Sequence, residues 1–185
     1  MNDLVAIPGL GSGAAIWSRT VEELGGNVRC TIGDTLQDRS LPEMAGRILA
    51  AAPATFVLAG LSMGGMVALE VMRAQRGRVT GLAIDDSNAF PDTPEQAAQR
   101  RRTIAALRSG VDLRAAGEAS VAGLVDRGAA GDVREAIVNM GLRVGAETYA
   151  RQIEAVLTVQ TNVRCLPISM FRRWSSQVRT TQWFQ

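Results

Sequence analysis

Between the apolar run Phe56-Val57-Leu58-Ala59 and the amphipathic stretch Met66-Val67-Ala68-Leu69-Glu70-Val71-Met72 lies Gly60-Leu61-Ser62-Met63-Gly64-Gly65. Physically this reads as a buried strand, a turn too tight for side chains, and a helix. Glycine stands two places either side of the serine because a Cβ there would collide with the strand or the helix. The serine is thereby pushed out at the top of a sheet. Its hydroxyl sits at a helix N-terminus, where unpaired N–H groups and the helix dipole favour negative charge on a reacting oxygen. That is the position of a nucleophile. A serine and glycine turn before a helix is also a common purely structural solution, so the pattern alone leaves both readings open.

The flanking chain alternates strand and helix. Leu4-Val5-Ala6-Ile7 is stopped by Pro8-Gly9, and the glycine-rich loop Gly9-Leu10-Gly11-Ser12-Gly13 leads into a helix from Ala14 to about Leu24. Asn27 to Ile32 predicts a second strand ended by Gly33-Asp34, and Pro42 and Glu43 open a helix to about Ala51. Strands over Thr55 to Ala59 and Val79 to Ile84 flank a helix from Met63 to about Gln75. Such spacing predicts a parallel sheet with right-handed crossovers. Beyond Asp85-Asp86 only helices are expected: one capped by Thr93 and running to Leu107, then Leu113 to Asp126, Asp132 to Met140 and Glu147 to Thr158. An all-helical insert after the fourth strand makes a lid over whatever the sheet carries. Its run Arg100-Arg101-Arg102 reads as a solvated helix face.

Taken together, Pro8-Gly9-Leu10 with Trp17 following, the Ser62 turn, and the helix opened by Asp92-Thr93-Pro94-Glu95 resemble an α/β-hydrolase of the small esterase and enol-lactonase-like group over about residues 3 to 158. The resemblance implies an α/β fold, a parallel sheet with a helical cap whose C-terminal strands are missing. It divides the chain into the N-terminal part of a hydrolase core (1–91), a cap (92–158) and an aberrant tail (159–185). It also implies a serine hydrolase acting on a carboxylic ester, thioester or lactone of a small molecule. Ser62 would be the acyl-forming nucleophile, with the backbone N–H groups of Leu10 and Met63 as oxyanion hole. Many members carry His-Gly where this chain has Pro8-Gly9, a departure at a supporting residue. No cofactor and no metal are expected. Two other readings stay open: a non-catalytic relative that binds a small molecule under the cap, and a dinucleotide-binding domain, since Gly9-x-Gly11-x-x-Ala14 with Asp34 imitates that fingerprint.

Composition sharpens the problem. The chain has 185 residues, 46% of them hydrophobic, enough for one domain with a sizeable core. No apolar run reaches membrane-spanning length and no signal-peptide pattern opens the chain, so the expected location is cytoplasmic, away from membranes. A net charge of +2 argues against a nucleic-acid partner, and Cys30 and Cys165 suit neither a metal site nor a disulfide framework. All 20 basic residues are Arg, and there is no His. A serine hydroxyl needs a neighbour that takes its proton and passes it to the leaving group, normally a His held by a carboxylate. Asp85 or Asp86 could supply an acid, but no acid replaces the base. The chain as written is therefore expected to be inactive.

The tail differs from everything before it. Residues 159–185 contain no Ala, Gly, Asp or Glu, yet hold two of the three Trp, two of the four Phe and four Arg. Back-translated with G/C-rich codons and read in a shifted frame, Thr161 to Phe184 becomes a Pro-containing acidic linker, a Val-rich strand and an acidic loop, like the hydrolase's next strand and triad acid. Some letters are nearly forced: Met170 followed by Phe171 must give Val. We expect a frameshift near Thr158 to Gln160; the alternative is a short homologue whose Arg- and Trp-bearing tail binds a partner. Sequencing the DNA past codon 185 should reveal, in the shifted frame, a helix, a strand and a loop containing His. An intact present frame with no such continuation would refute the frameshift.

Overall fold

In a computed structural model, residues 2–125 and 131–159 are described. Four strands, β1 (Asn2–Ile7), β2 (Val28–Ile32), β3 (Phe56–Leu61) and β4 (Val79–Asp85), form one parallel sheet in the order β2-β1-β3-β4. The helices are α1 (Ser18–Leu24), α2 (Leu41–Ala51), α3 (Met63–Gln75), α4 (Pro94–Arg108), α5 (Leu113–Leu124), α6 (Gly131–Val144) and α7 (Ala146–Leu157). The cysteine at 165 and the tail from Gln160 onward, with its proposed change of frame, lie outside the described residues, as does Asp126.

Alternating side chains of the strands build two different faces. Val5, Ile7, Phe56 and Leu58 point into the main core with Leu41, Met44 and Ile48 of α2 and Met63, Val67 and Val71 of α3. Leu4, Ala6 and Ala59 face the other way, against Trp17, Val28, Cys30 and Ile32. Burial there pushes the Cys30 thiol pKa up. Helix α3 is buried on every side from Met63 to Met72, so it is the central helix of the fold. Its only charged buried residue, Glu70, pairs with Arg73 at 2.7 Å.

Several starts and stops follow sequence rules. Thr93 caps α4 in a full capping box with Gln96, and Ser40 caps α2 ahead of Pro42. The end of α2 is held from outside: the Arg78 guanidinium donates to the carbonyls of Leu49, Ala52, Pro53 and Ala54 and lies 5.6 Å from the Phe56 ring centroid. One arginine thus satisfies the carbonyls that a helix terminus leaves unpaired. The expected continuous helix from Ala14 to Leu24 is instead a 3₁₀ turn (Ala14–Trp17) followed by α1. Gly13 offers no capping side chain, and the Ser18 hydroxyl donates to the Ala15 carbonyl, which favours the tighter turn. Of the arginine run, Arg100 pairs with Asp92 at 2.6 Å, while Arg101 and Arg102 are exposed.

The helical segment after β4 packs as two pairs, α4 with α7 and α5 with α6. Helix α7 returns to the sheet: Ala155 and Val156 join the main core, while Ala150 and Ile153 pack with Ile104 and Leu107 of α4. Among the described residues no helix is long and apolar enough to cross a membrane.

Strand β4 is the weak border. Among the described residues it pairs only with β3, and Thr80, Ala83 and Asp85 are exposed. An unpaired parallel edge invites pairing with another chain. The 185-residue protein is expected to aggregate on expression or to form a dimer, readable by size-exclusion chromatography with light scattering. A monodisperse monomer with a cooperative melting transition would show that the edge is closed within the chain.

Candidate active site

Ser62 joins β3 to α3 with φ 52° and ψ −119°, a conformation that costs a residue bearing a Cβ roughly 1–3 kcal/mol. Neighbouring bonds hold it there. Its N–H donates to the Asp85 carbonyl at 2.9 Å, and its carbonyl accepts from the Ser87 hydroxyl at 2.7 Å and from the Gly65 N–H at 2.9 Å. Asp86, between the two anchoring residues, is itself at φ 42°. The three glycines around it have no room for a side chain. A Cβ on Gly60 would run into the Gly64 carbonyl, one on Gly64 into the Ile7 carbonyl and to 2.6 Å from Pro8 O, and one on Gly65 to 2.6 Å from the Ser87 hydroxyl.

The loop after β1 lies against this turn: a Cβ on Gly9 would be 3.4 Å from Ser62 Cβ. Within the loop, the Gly9 carbonyl accepts from both the N–H and the hydroxyl of Ser12, at 3.3 and 2.9 Å. Because the peptide is planar and trans, fixing that carbonyl also fixes the Leu10 N–H of the same unit, pointing the opposite way. The next N–H, of Gly11, donates to Gln152 Oε1 at 2.9 Å. Among the described residues, the N–H groups of Leu10 and Met63 donate to no protein acceptor. Met63 opens α3, so its free N–H also carries the positive end of the helix dipole.

What is missing is equally specific. Ser62 is partly exposed, and its hydroxyl makes no hydrogen bond among the described residues. Asp85 and Asp86 are exposed, and Asp85 meets Ser62 through its backbone carbonyl. Tyr149 of α7 packs its ring on Gly11; burial raises its pKa, with the nearby Arg100 charge pulling the other way, so it stays a neutral phenol. A cavity of about 230 Å³ beside the loop is lined by Gly13, Ala14, Leu36, Met140, Arg143 and Val144. It does not include Ser62.

Sequence reasoning singled out Ser62, Met63 and Leu10: Ser62 is the turn residue, Met63 opens α3 directly after it, and Leu10 follows Gly9, whose Cβ would lie 3.4 Å from Ser62 Cβ. It missed Ser12, Ser87, Tyr149 and Gln152, which hold the turn and the loop in place. Ser87 carried a faint signal, two residues beyond the end of β4. Gln152 carried none, since a glutamine amid the helical pattern of Tyr149, Ala150 and Ile153 looks like any surface residue.

No protein-family model and no curated protein matches the sequence. Solved structures do resemble the fold. A thermophilic esterase from Thermogutta terrifontis, in a malate-bound structure, superposes with a TM-score of 0.73 at 24% identity, covering 90% of this chain and 67% of that one. A carboxylesterase structure from the thaumarchaeon Nitrososphaera gargenis gives 0.73 at 15% identity, covering 87% and 65%. The enol-lactonase from Burkholderia xenovorans gives 0.68 at 18%, covering 86% and 65%. The chain therefore has an α/β-hydrolase fold and spans about two thirds of the length of these structures.

The glycine contacts make a paired prediction. Gly64→Ala forces a methyl into two backbone carbonyls that cannot yield, and should cost at least about 3 kcal/mol or prevent folding. Gly46→Ala, inside α2 with nothing within 4 Å of the new Cβ, should raise stability by about 0.5–1 kcal/mol. Urea titration of the two variants against the parent checks both signs.

Proposed function

We propose that this chain is a serine hydrolase by construction, acting on a carboxylic ester, thioester or lactone of a small molecule through an acyl-Ser62 intermediate, and that it lacks the base needed to run the reaction. The observation that carries the reading is the strained Ser62 turn, wedged against the loop after β1 by glycines that admit no side chain. Strain of this kind persists only where surrounding bonds enforce it, and it clusters at reactive positions. The esterase and lactonase neighbours support the same class of substrate.

The chemistry follows from the geometry. Ser62 Oγ attacks the substrate carbonyl carbon, the carbonyl π pair moves onto oxygen, and the N–H groups of Leu10 and Met63 receive the oxyanion. One such donor contributes on the order of 3–4 kcal/mol to the transition state. Collapse expels the alkoxide, thiolate or ring oxygen, and water later releases the acid. Each proton transfer needs a base that becomes an acid, and with no His in the sequence none is provided. A second reading, a non-catalytic binder of small molecules, is favoured by that absence and by a Ser62 hydroxyl that makes no hydrogen bond among the described residues. The dinucleotide reading draws no support from the loop, where the Gly11 N–H is already taken by Gln152.

Hydrolysis of a small activated ester by the chain and by its Ser62→Ala variant is expected to be equal and near background. In a version completed through the shifted frame so as to contain the His, Ser62→Ala should lose roughly five to six orders of magnitude in turnover. A fluorophosphonate should label Ser62 there. Completed protein whose activity is indifferent to Ser62 would overturn the serine-hydrolase reading. Ser62-dependent turnover by the uncompleted chain would overturn the claim that it is broken and make Asp85 and Asp86 the first bases to test.

A further inference from the structure

Gln152 is completely buried in α7, and no step above uses it. A long polar side chain is held in the interior only by satisfied hydrogen bonds. Its two partners fix which way the amide points. The Gly11 N–H can only donate, so it faces Oε1 at 2.9 Å; the Thr35 carbonyl can only accept, so it faces Nε2 at 3.1 Å. The Thr35 hydroxyl oxygen is 3.4 Å from the same nitrogen, and Thr35 is itself 1% exposed. One side chain therefore ties together three segments distant in sequence: the loop after β1, the loop after β2, and the helix that returns from the cap.

The same helix grips the loop a second time. Tyr149, one turn before Gln152 and on the same face, lays its ring where a Cβ on Gly11 would sit, 3.3 Å from Cε2. Gly11 is at φ 66°, open to glycine and strained for other residues. The Leu10–Gly11 peptide is thus clamped by α7, and the Gly9–Leu10 peptide by Ser12. The Leu10 N–H belongs to the Gly9–Leu10 plane, and the clamped Leu10–Gly11 peptide restrains the Cα on which that plane can turn.

We propose that Gln152 is the positioning residue of the oxyanion loop: by holding the Gly11 N–H, it keeps the Leu10 N–H directed at the Ser62 turn. The proposal rests on the reading of Ser62 as an acyl-forming nucleophile. It makes loop order depend on α7 packing, so a donor that belongs to the backbone comes under side-chain control. Preorganised donors work because they need no reorientation as charge develops, and a loop free to rotate the Leu10 peptide would forfeit that.

The test uses the chain as it is. Phenylboronic acid is a tetrahedral mimic: the Ser62 oxygen donates a lone pair to boron, the O–B bond forms, and the hydroxyl proton leaves to solvent, giving an anionic boronate. Adduct formation is followed by ¹¹B NMR and amide exchange at Leu10 and Gly11 by ¹⁵N NMR. Gln152→Met keeps the volume and removes the hydrogen bonds to Gly11 and to Thr35. It is expected to weaken the adduct at least about tenfold and to speed Gly11 exchange by a similar factor. Thr35→Val, which removes only the hydroxyl partner, should do the same more mildly. Val156→Ala, one turn further along α7 in the main core, should lower stability but change neither reading.

Equal adduct affinity in the parent and Gln152→Met overturns the proposal. So does a loss in Val156→Ala as large as that in Gln152→Met, because general loosening of α7 would then account for it. If the parent forms no adduct, the missing base accounts for it, the Ser62 reading is decided in the completed protein, and exchange at Gly11 alone decides the clamp. Unchanged exchange in Gln152→Met then overturns the clamp, and faster exchange confined to Gly11 and Leu10 upholds it.

Discussion

The molecule depends on one close approach. The backbone at Gly64, in the first turn of α3, comes so near the end of β1 that even a methyl group would strike the Ile7 and Pro8 carbonyls. That approach sets the separation of the central strand from the central helix. It also forces the chain to turn at Ser62 within a single residue. Everything else in the site is arranged around this contact. The Pro8-Gly9 loop must leave β1 across the top of the turn, and Ser87 must fill the space beside Gly65. Strain at Ser62 and Asp86 is offset by three hydrogen bonds to the Ser62 backbone and by the buried length of α3.

That contact explains why so much was legible. A position that excludes every side chain must be glycine, and glycines at 60, 64 and 65 around a serine can be read directly from the letters. Strand runs such as Leu4 to Ile7 and Phe56 to Ala59 were equally plain, because both faces are covered and apolar residues are nearly continuous. The Thr93 cap was legible because a capping box is a local arrangement of neighbouring residues. Gln152 and Thr35 were not. Their meaning lies in a hydrogen bond between segments 117 residues apart, and no local pattern distinguishes a clamping glutamine from a solvated one. The 3₁₀ turn at Ala14 was missed for a subtler reason: Ala14-Ala15-Ile16 favours helix, and the local Ser18 bond to Ala15 decides between two similar geometries that the letters do not separate.

The site separates into two kinds of chemistry with different structural requirements. Backbone N–H groups exist wherever the turn and loop are folded, and among the described residues those of Leu10 and Met63 donate to no protein acceptor. A general base is a side chain, and its position requires a further element to carry it. A chain of this fold can therefore keep such backbone donors without the side chain that would serve as base, and α7, by bonding Gly11, orders the loop that lies against the Ser62 turn.

The same reasoning joins stability to catalysis. About a third of each of the solved structures this chain resembles lies outside the part it matches. Among the described residues β4 is a parallel strand with one partner and exposed residues at Thr80, Ala83 and Asp85. By the resemblance, the elements beyond the cap would pair with that edge, and the triad acid and base would sit on their connecting loops. Closing the sheet and supplying the base are then one structural event. A base on a loop between such strands would take its position from the same sheet that carries the Ser62 turn.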